Sequence, residues 1–187
     1  MSPKRSVSDC SRGLERQETF TDGGIISWMG IGAGGNWKRH DEEFDESIVR
    51  QTTGISCMSA AGEMLLRQRD IYVSQDEIRG IIGEPSYVRA LADCLNSFDH
   101  SDDKKAWIGI STDEESIEKL LAGSDLAIVL LEQPLTMGHA VVIAGRTQTG
   151  MVKILDSFDQ TSNKMSMNEI LECWGGEVIT RWQIEIQ

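Results

Sequence analysis

The hydrophobic pattern of this chain changes period along its length, and that change limits the fold more than any other feature. Ala60, Ala61, Met64 and Leu65 recur at helical spacing and predict a buried helix over 56–67. Ser74-Gln75-Asp76-Glu77 fits a capping box that opens a second helix through Ile82. Residues 87–95 read as a third, and Thr112-Asp113-Glu114-Glu115 caps a fourth that runs to Leu121 and stops at Gly123. Only one short strand, 107–110, interrupts them. Beyond Gly123 the apolar residues come in runs of strand length. The spans 125–131, 140–144 and 151–155 read as strands, the last two joined by the turn Thr147-Gln148-Thr149-Gly150. A short helix over 166–174 and an alternating strand over 178–186 close the chain. Helices first and an antiparallel sheet afterwards argue an α+β fold.

The chain has 187 residues, which fits one domain with an arm. Residues 1–47 are rich in Ser, Gly and charge, lack sustained apolar periodicity, and read as a partly flexible N-terminal arm; the domain proper spans 48–187. The glycine-dense stretch 23–35 should be loop, and Gly30-Ile-Gly32-Ala-Gly34-Gly35 has neither the strand before it nor the helix after it that a dinucleotide fingerprint needs. The arm is expected to pack on the core through Trp28 or Trp37. The net charge of −12, with no basic stripe, disfavours nucleic acid and anionic membranes as partners. No apolar run approaches the ~20 residues of a membrane helix. The N-terminus lacks a secretory signal, so the expected location is cytoplasmic, or exported without a cleavable signal. Cys10, Cys57, Cys94 and Cys173 are widely spaced with no CxxC, which predicts free thiols rather than disulfides or zinc.

Only three histidines offer themselves as bases. His40 lies in the charged run Lys38-Arg39-His40-Asp41-Glu42 and His100 among acidic residues; both read as solvated, with no ligand spacing for a metal. His139 instead follows Gly138 and opens the apolar strand Ala140-Val141-Val142-Ile143. The turn near Gln148 folds the next strand back, so Asp156 returns beside it. With an even number of loop residues the two share a face, within reach of a hydrogen bond that would fix the imidazole tautomer. From the hairpin alone, an Asp that merely ends the strand is an equal reading. Cys57 sits at the first turn of the first helix, after the Gly54-Ile55-Ser56 bend. The helix dipole and free N–H groups there favour a nucleophilic thiolate, although a buried structural cysteine is the ordinary alternative. Cys94 and Cys173 fall in apolar helical stretches and read as structural. Gln51 precedes Cys57 by six residues, placed to offer its amide to an oxyanion beside the Cys57 N–H.

The segment from Gln51 through Cys57 to Leu66 resembles the Gln-x5-Cys entry to the central helix of papain-like cysteine peptidases. It looks most like the bacteriocin-processing, double-glycine peptidases of peptide-exporting ABC transporters and their free-standing relatives. Met137-Gly138-His139 with its apolar strand, and Ile154-Leu155-Asp156-Ser157, resemble that group's remaining motifs in the same order, over roughly 48–187. Ser56-Cys57-Met58-Ser59 departs from the papain signature and from the usual entry of the transporter peptidases. The resemblance implies a helical half bearing Cys57 packed on a sheet half bearing His139 and Asp156. It further implies peptide-bond hydrolysis by a Cys57–His139–Asp156 triad with Gln51 in the oxyanion hole, a peptide or protein substrate, and no cofactor or metal. Deamidation, transamidation or acyl transfer by an effector or toxin domain shares this chemistry, and a non-catalytic peptide-binding module would use the same cleft.

Overall fold

The computed structural model describes residues 37–100, 105–122, 127–131 and 138–183. Strand β1 (His40–Phe44) leads to helices α1 (Cys57–Arg67), α2 (Gln75–Ile82) and α3 (Val88–Phe98), then β2 (Lys105–Ser111) and α4 (Glu114–Ala122). Strands β3 (Ala127–Leu131), β4 (His139–Arg146), β5 (Val152–Asp156) and β6 (Thr161–Met165), helix α5 (Met167–Cys173) and β7 (Trp174–Gln183) follow. The fold is α+β, as the periodicity predicts. The strands form one antiparallel sheet in the order β1-β6-β5-β4-β3-β7-β2.

Strand alternation sends the apolar side chains to two cores. Ala140, Val142, Leu155, Ile179 and Trp107 face α1, α2 and α3, where Leu65, Leu66, Ile78, Leu91 and Leu95 are buried. Leu131, Val141, Ile143, Val152, Ile154, Met165 and Val178 face the other way, onto Ile117 of α4, Ile170 of α5 and Trp37. The approach of α3 to β2 is close enough that a Cβ on Gly109 would lie 2.3 Å from the Val88 carbonyl oxygen, so only glycine fits there. Ser74 caps α2 as expected, accepting from the Glu77 N–H, but without the reciprocal Glu77 bond of a full capping box; Ser166 and Glu169 form a complete one on α5. At α4 it is Asp113, not Thr112, that accepts from the Ser116 N–H.

Three differences from the expected elements have physical reasons. The sequence places residues 40–44 in the arm, yet β1 pairs with β6 at the sheet edge. Neither strand was expected, because both are mostly polar: β6 buries only Asn163 and Met165, and β1 buries no residue. Strand β7 starts at Trp174, directly after α5, with Gly176 at φ 85. Trp28, Cys10, the glycine-rich stretch and Gly123 lie outside the described residues.

The third difference decides the site. The loop closed by Arg146 and Val152 has an odd number of residues, and continuing that pairing would set Asp156 opposite Val142, facing away from His139. Between Ile143 and Arg146 the register shifts by one residue, so Ile143 pairs with Ile154 and Val142 with Leu155. One step further, Asp156 falls beside Val141 and diagonal to His139, on one face. Gly145, with φ 98, lies within this bulge and takes a conformation that other residues resist.

Candidate active site

Four segments meet at one end of the sheet: the start of β4, the end of β5, the loop 50–56 and the first turn of α1. Cys57 is the first residue of α1 and is buried. No side chain caps this helix, and its first turn carries no acidic residue. The Ser56 hydroxyl turns back into the loop, accepting from the Thr53 N–H at 2.9 Å and donating to the Thr53 carbonyl at 3.2 Å. The N–H groups around Cys57 are thus left to neighbours other than a cap.

His139 and Asp156 are both buried, with Nε2 of the ring 2.7 Å from Oδ1 of the carboxylate. Oδ1 also accepts the Phe158 N–H at 2.9 Å, so the turn after β5 holds the carboxylate in place. The other ring nitrogen, Nδ1, is buried and makes no hydrogen bond. Burial by itself would favour the neutral ring. Asp156, through its hydrogen bond and its charge, and the nearby Cys57 outweigh it, and the His139 pKa is pushed up to about 10. Burial also opposes the Asp156 charge, yet its bond to His139, the imidazolium charge and the Phe158 N–H hold its carboxyl below the usual range. Both shifts favour the charged forms of the two partners.

Gln51 is buried and fixed at both ends of its amide. Its side-chain oxygen accepts from the Ser157 hydroxyl at 3.1 Å, and its Nε2 donates to the Thr53 carbonyl at 2.8 Å. Its backbone N–H donates to the Ser157 carbonyl at 2.9 Å, which docks loop 50–56 on the end of β5. Because the Thr53 carbonyl can only accept, it fixes which end of the amide is Nε2, and one of the two N–H groups there remains for another acceptor. Asp156 and Ser157 are adjacent, so one dipeptide orients both His139 and Gln51.

Trp37 completes the surround. Its ring stacks on the His139 ring with centroids 5.6 Å apart and planes 14° from parallel, and it is itself buried. Docking of this tryptophan on the core is expected from the sequence; its place over the histidine is not, because nothing in a glycine-rich segment indicates which buried group it covers. His40 is a correction. The sequence reads it as solvated, but its Nε2 lies 2.9 Å from a Glu169 carboxylate oxygen that also pairs with Lys38. Cys94 and Cys173 are buried and in no disulfide among the described residues, and His100 is exposed. Among the described residues, no group of three His, Cys, Asp or Glu side chains is arranged to hold a metal ion.

No family model matches the chain. Among solved structures, a double-glycine-motif protease from an AMS/PCAT transporter, in complex with its leader peptide, superposes with a TM-score of 0.58 at 16% identity. That match covers 83% of this chain and 99% of the other. The peptidase domain of Streptococcus ComA, a bi-functional ABC transporter of a quorum-sensing pathway, gives a TM-score of 0.57 at 16% identity, covering 73% and 97%. The fold is that of the double-glycine peptidases. A curated protein of Escherichia coli O1:K1:H7, cysteine protease effector 1, is 34% identical over 149 residues, 79% of this chain. The chain spans 29% of that relative's length. No helix among the described residues is long and apolar enough to cross a membrane.

Proposed function

We propose that this chain is a cysteine peptidase domain that hydrolyses peptide bonds, with Cys57 as nucleophile, His139 as acid and base, Asp156 as orienter and Gln51 as oxyanion donor. The observation that carries the reading is the buried His139–Asp156 pair, which lies beside Cys57 at the start of α1. The cysteine protease name of the Escherichia coli relative and the peptidase fold support it independently. The leader peptide bound to the transporter protease supports a peptide or protein substrate, and the relative's name supports a role as an effector.

The chemistry follows from the arrangement. The Cys57 thiolate attacks the scissile carbonyl carbon, forming a C–S bond and placing negative charge on the oxygen. That oxygen accepts from the remaining Gln51 Nε2–H and from the Cys57 backbone N–H. Collapse breaks the C–N bond while imidazolium gives its proton to the leaving amine, leaving a thioester and neutral His139. Water then attacks the thioester as His139 takes its proton, the C–S bond breaks, and the acid product leaves with the thiolate and imidazolium restored. Asp156 keeps the ring in the orientation both steps need, and Trp37 keeps water off its face.

A proteome-derived peptide library incubated with the protein and read by mass spectrometry tests this. New termini are expected with the wild type and absent with Cys57→Ala. Cleavage that persists in Cys57→Ala would overturn the nucleophile assignment.

A further inference from the structure

A buried side chain outside the proposed catalytic set grips the Gln51 loop from both sides. Gln75 opens α2 and is 7% exposed. Its Nε2 donates to the carbonyl of Arg50 at 2.7 Å, and its Oε1 accepts the N–H of Thr52 at 3.0 Å and the Thr52 hydroxyl at 3.2 Å. These are the residues immediately before and after Gln51. One amide thus spans the peptide groups on either side of the proposed oxyanion donor, as a neighbouring strand would. Gln75 is held in turn: its backbone N–H donates to Glu63 Oε2 at 2.6 Å, and Glu63, buried on α1, also pairs with Arg67. The chain of bonds runs from α1 through Glu63 and Gln75 to the loop, and returns to α1 at Cys57.

We infer that Gln75 is a positioning residue for oxyanion stabilisation: it sets where the Gln51 amide stands relative to the Cys57 N–H. The role deepens the peptidase reading and rests on it. Helix packing alone does not need this side chain, because the Ile78 face of α2 makes the apolar contacts. The Gln75 amide spends all its bonds on the loop. It has no part in forming the nucleophile, since the His139–Asp156 pair and Cys57 lie outside its contacts. Removing it should therefore separate two reactivities that a general loss of structure would lower together. A displacement of about 1 Å at a reacting group costs up to ~10²-fold in rate, and outright removal of one oxyanion donor costs ~10²–10³-fold.

The test uses the peptide that the wild type cleaves fastest from the library, an aldehyde carrying the residues before that cleaved bond, and iodoacetamide. Gln75→Met keeps the volume and removes every loop bond. It is expected to lower kcat about 10- to 100-fold with KM within about two-fold, and to weaken the aldehyde adduct, which needs the oxyanion site, by a similar factor. Alkylation of Cys57 by iodoacetamide, which makes no oxyanion, should stay within about two-fold of wild type. Gln75→Glu keeps the acceptor for Thr52 and loses the bond to Arg50, so it should fall between; it also serves if Gln75→Met does not fold. Unchanged kcat in either folded variant, or alkylation falling as far as turnover, overturns the positioning role. A wild type that neither cleaves peptides nor forms the aldehyde adduct at Cys57 rejects the peptidase reading, and this one with it.

Discussion

Replacing Gly145 by alanine tests the bulge that brings His139 and Asp156 to one face. Gly145 has φ 98, and a Cβ there meets nothing within 4 Å, so the penalty is backbone strain without a clash. Holding a non-glycine residue in such a region costs about 1–3 kcal/mol. The chain has one way to relieve it, which is to slip β5 by one residue against β4. That slip would turn Ile154 and Val152, both buried, out of the second core and bring Lys153 in. Exposing each large aliphatic side chain costs about 1.5–3 kcal/mol, and burying an unpaired ammonium costs several more. The slip loses to the strain, so the bulge should survive. At about 3 °C per kcal/mol for a chain of this size, the melting temperature should fall roughly 3–9 °C. Turnover at 25 °C should stay within about two-fold of wild type, because the His139–Asp156 geometry is kept. Circular dichroism melts beside steady-state turnover read both quantities. A native melting temperature would show that Gly145 carries no strain. A folded variant with turnover as low as Asp156→Ala would show that the register had slipped and the energetic ranking was wrong.

Three further outcomes follow from the same site. Asp156→Asn should keep the fold and lower turnover less than Cys57→Ala does, since Asp156 orients without reacting; wild-type turnover in Asp156→Ala would make it only a strand end. The wild-type profile of kcat/KM against pH should hold into the alkaline range and fall near pH 10, where His139 deprotonates, and Asp156→Asn should move that limb downward by removing the bond that raises the ring; a wild-type limb near pH 7 would contradict the buried pair. The sign for stability agrees: the raised histidine contributes fully below its unfolded pKa, about 6.5, and that contribution is lost as pH rises through about 10, while the lowered Asp156 loses its share only in acid. Trp37→Ala should cost about 3–5 kcal/mol as a buried-aromatic truncation and reduce turnover, with Trp37→Phe recovering most of both; full turnover in a folded Trp37→Ala would leave the stack without a role in the site.

The parts of this protein visible in its sequence are those whose signal is local. Helix α1 shows in the spacing of Ala60, Ala61, Met64 and Leu65, the start of α2 in its cap, and the β4–β5 hairpin in two apolar runs around a turn. Cys57, His139, Asp156 and Gln51 stand out through the resemblance of their segments to the double-glycine peptidases, since their local places alone leave structural readings open, and the structure brings all four to one end of the sheet. What stayed hidden is non-local. Strands β1 and β6 are polar because one is the edge of the sheet and the other its neighbour, so alternation is weak. The parity of the hairpin depends on a bulge that a glycine inside an apolar strand does not announce. Trp37 reaches His139 across about a hundred residues of chain, and Gln75 grips the Gln51 loop through amide bonds that leave no periodic trace.

The central claim is that Cys57 is the nucleophile, and selective alkylation tests it most directly. Cys57, Cys94 and Cys173 are all buried, so accessibility alone does not separate them. Chemistry should: Cys57 opens a helix beside His139, whereas burial, with the Glu77 charge beside it, pushes the Cys94 thiol up and away from its reactive form. Limited iodoacetamide on the folded protein at neutral pH, followed by peptide mapping, should find Cys57 labelled well ahead of Cys94 and Cys173, with peptide cleavage lost in proportion. Equal labelling of the three, or cleavage that survives complete alkylation of Cys57, would contradict the account.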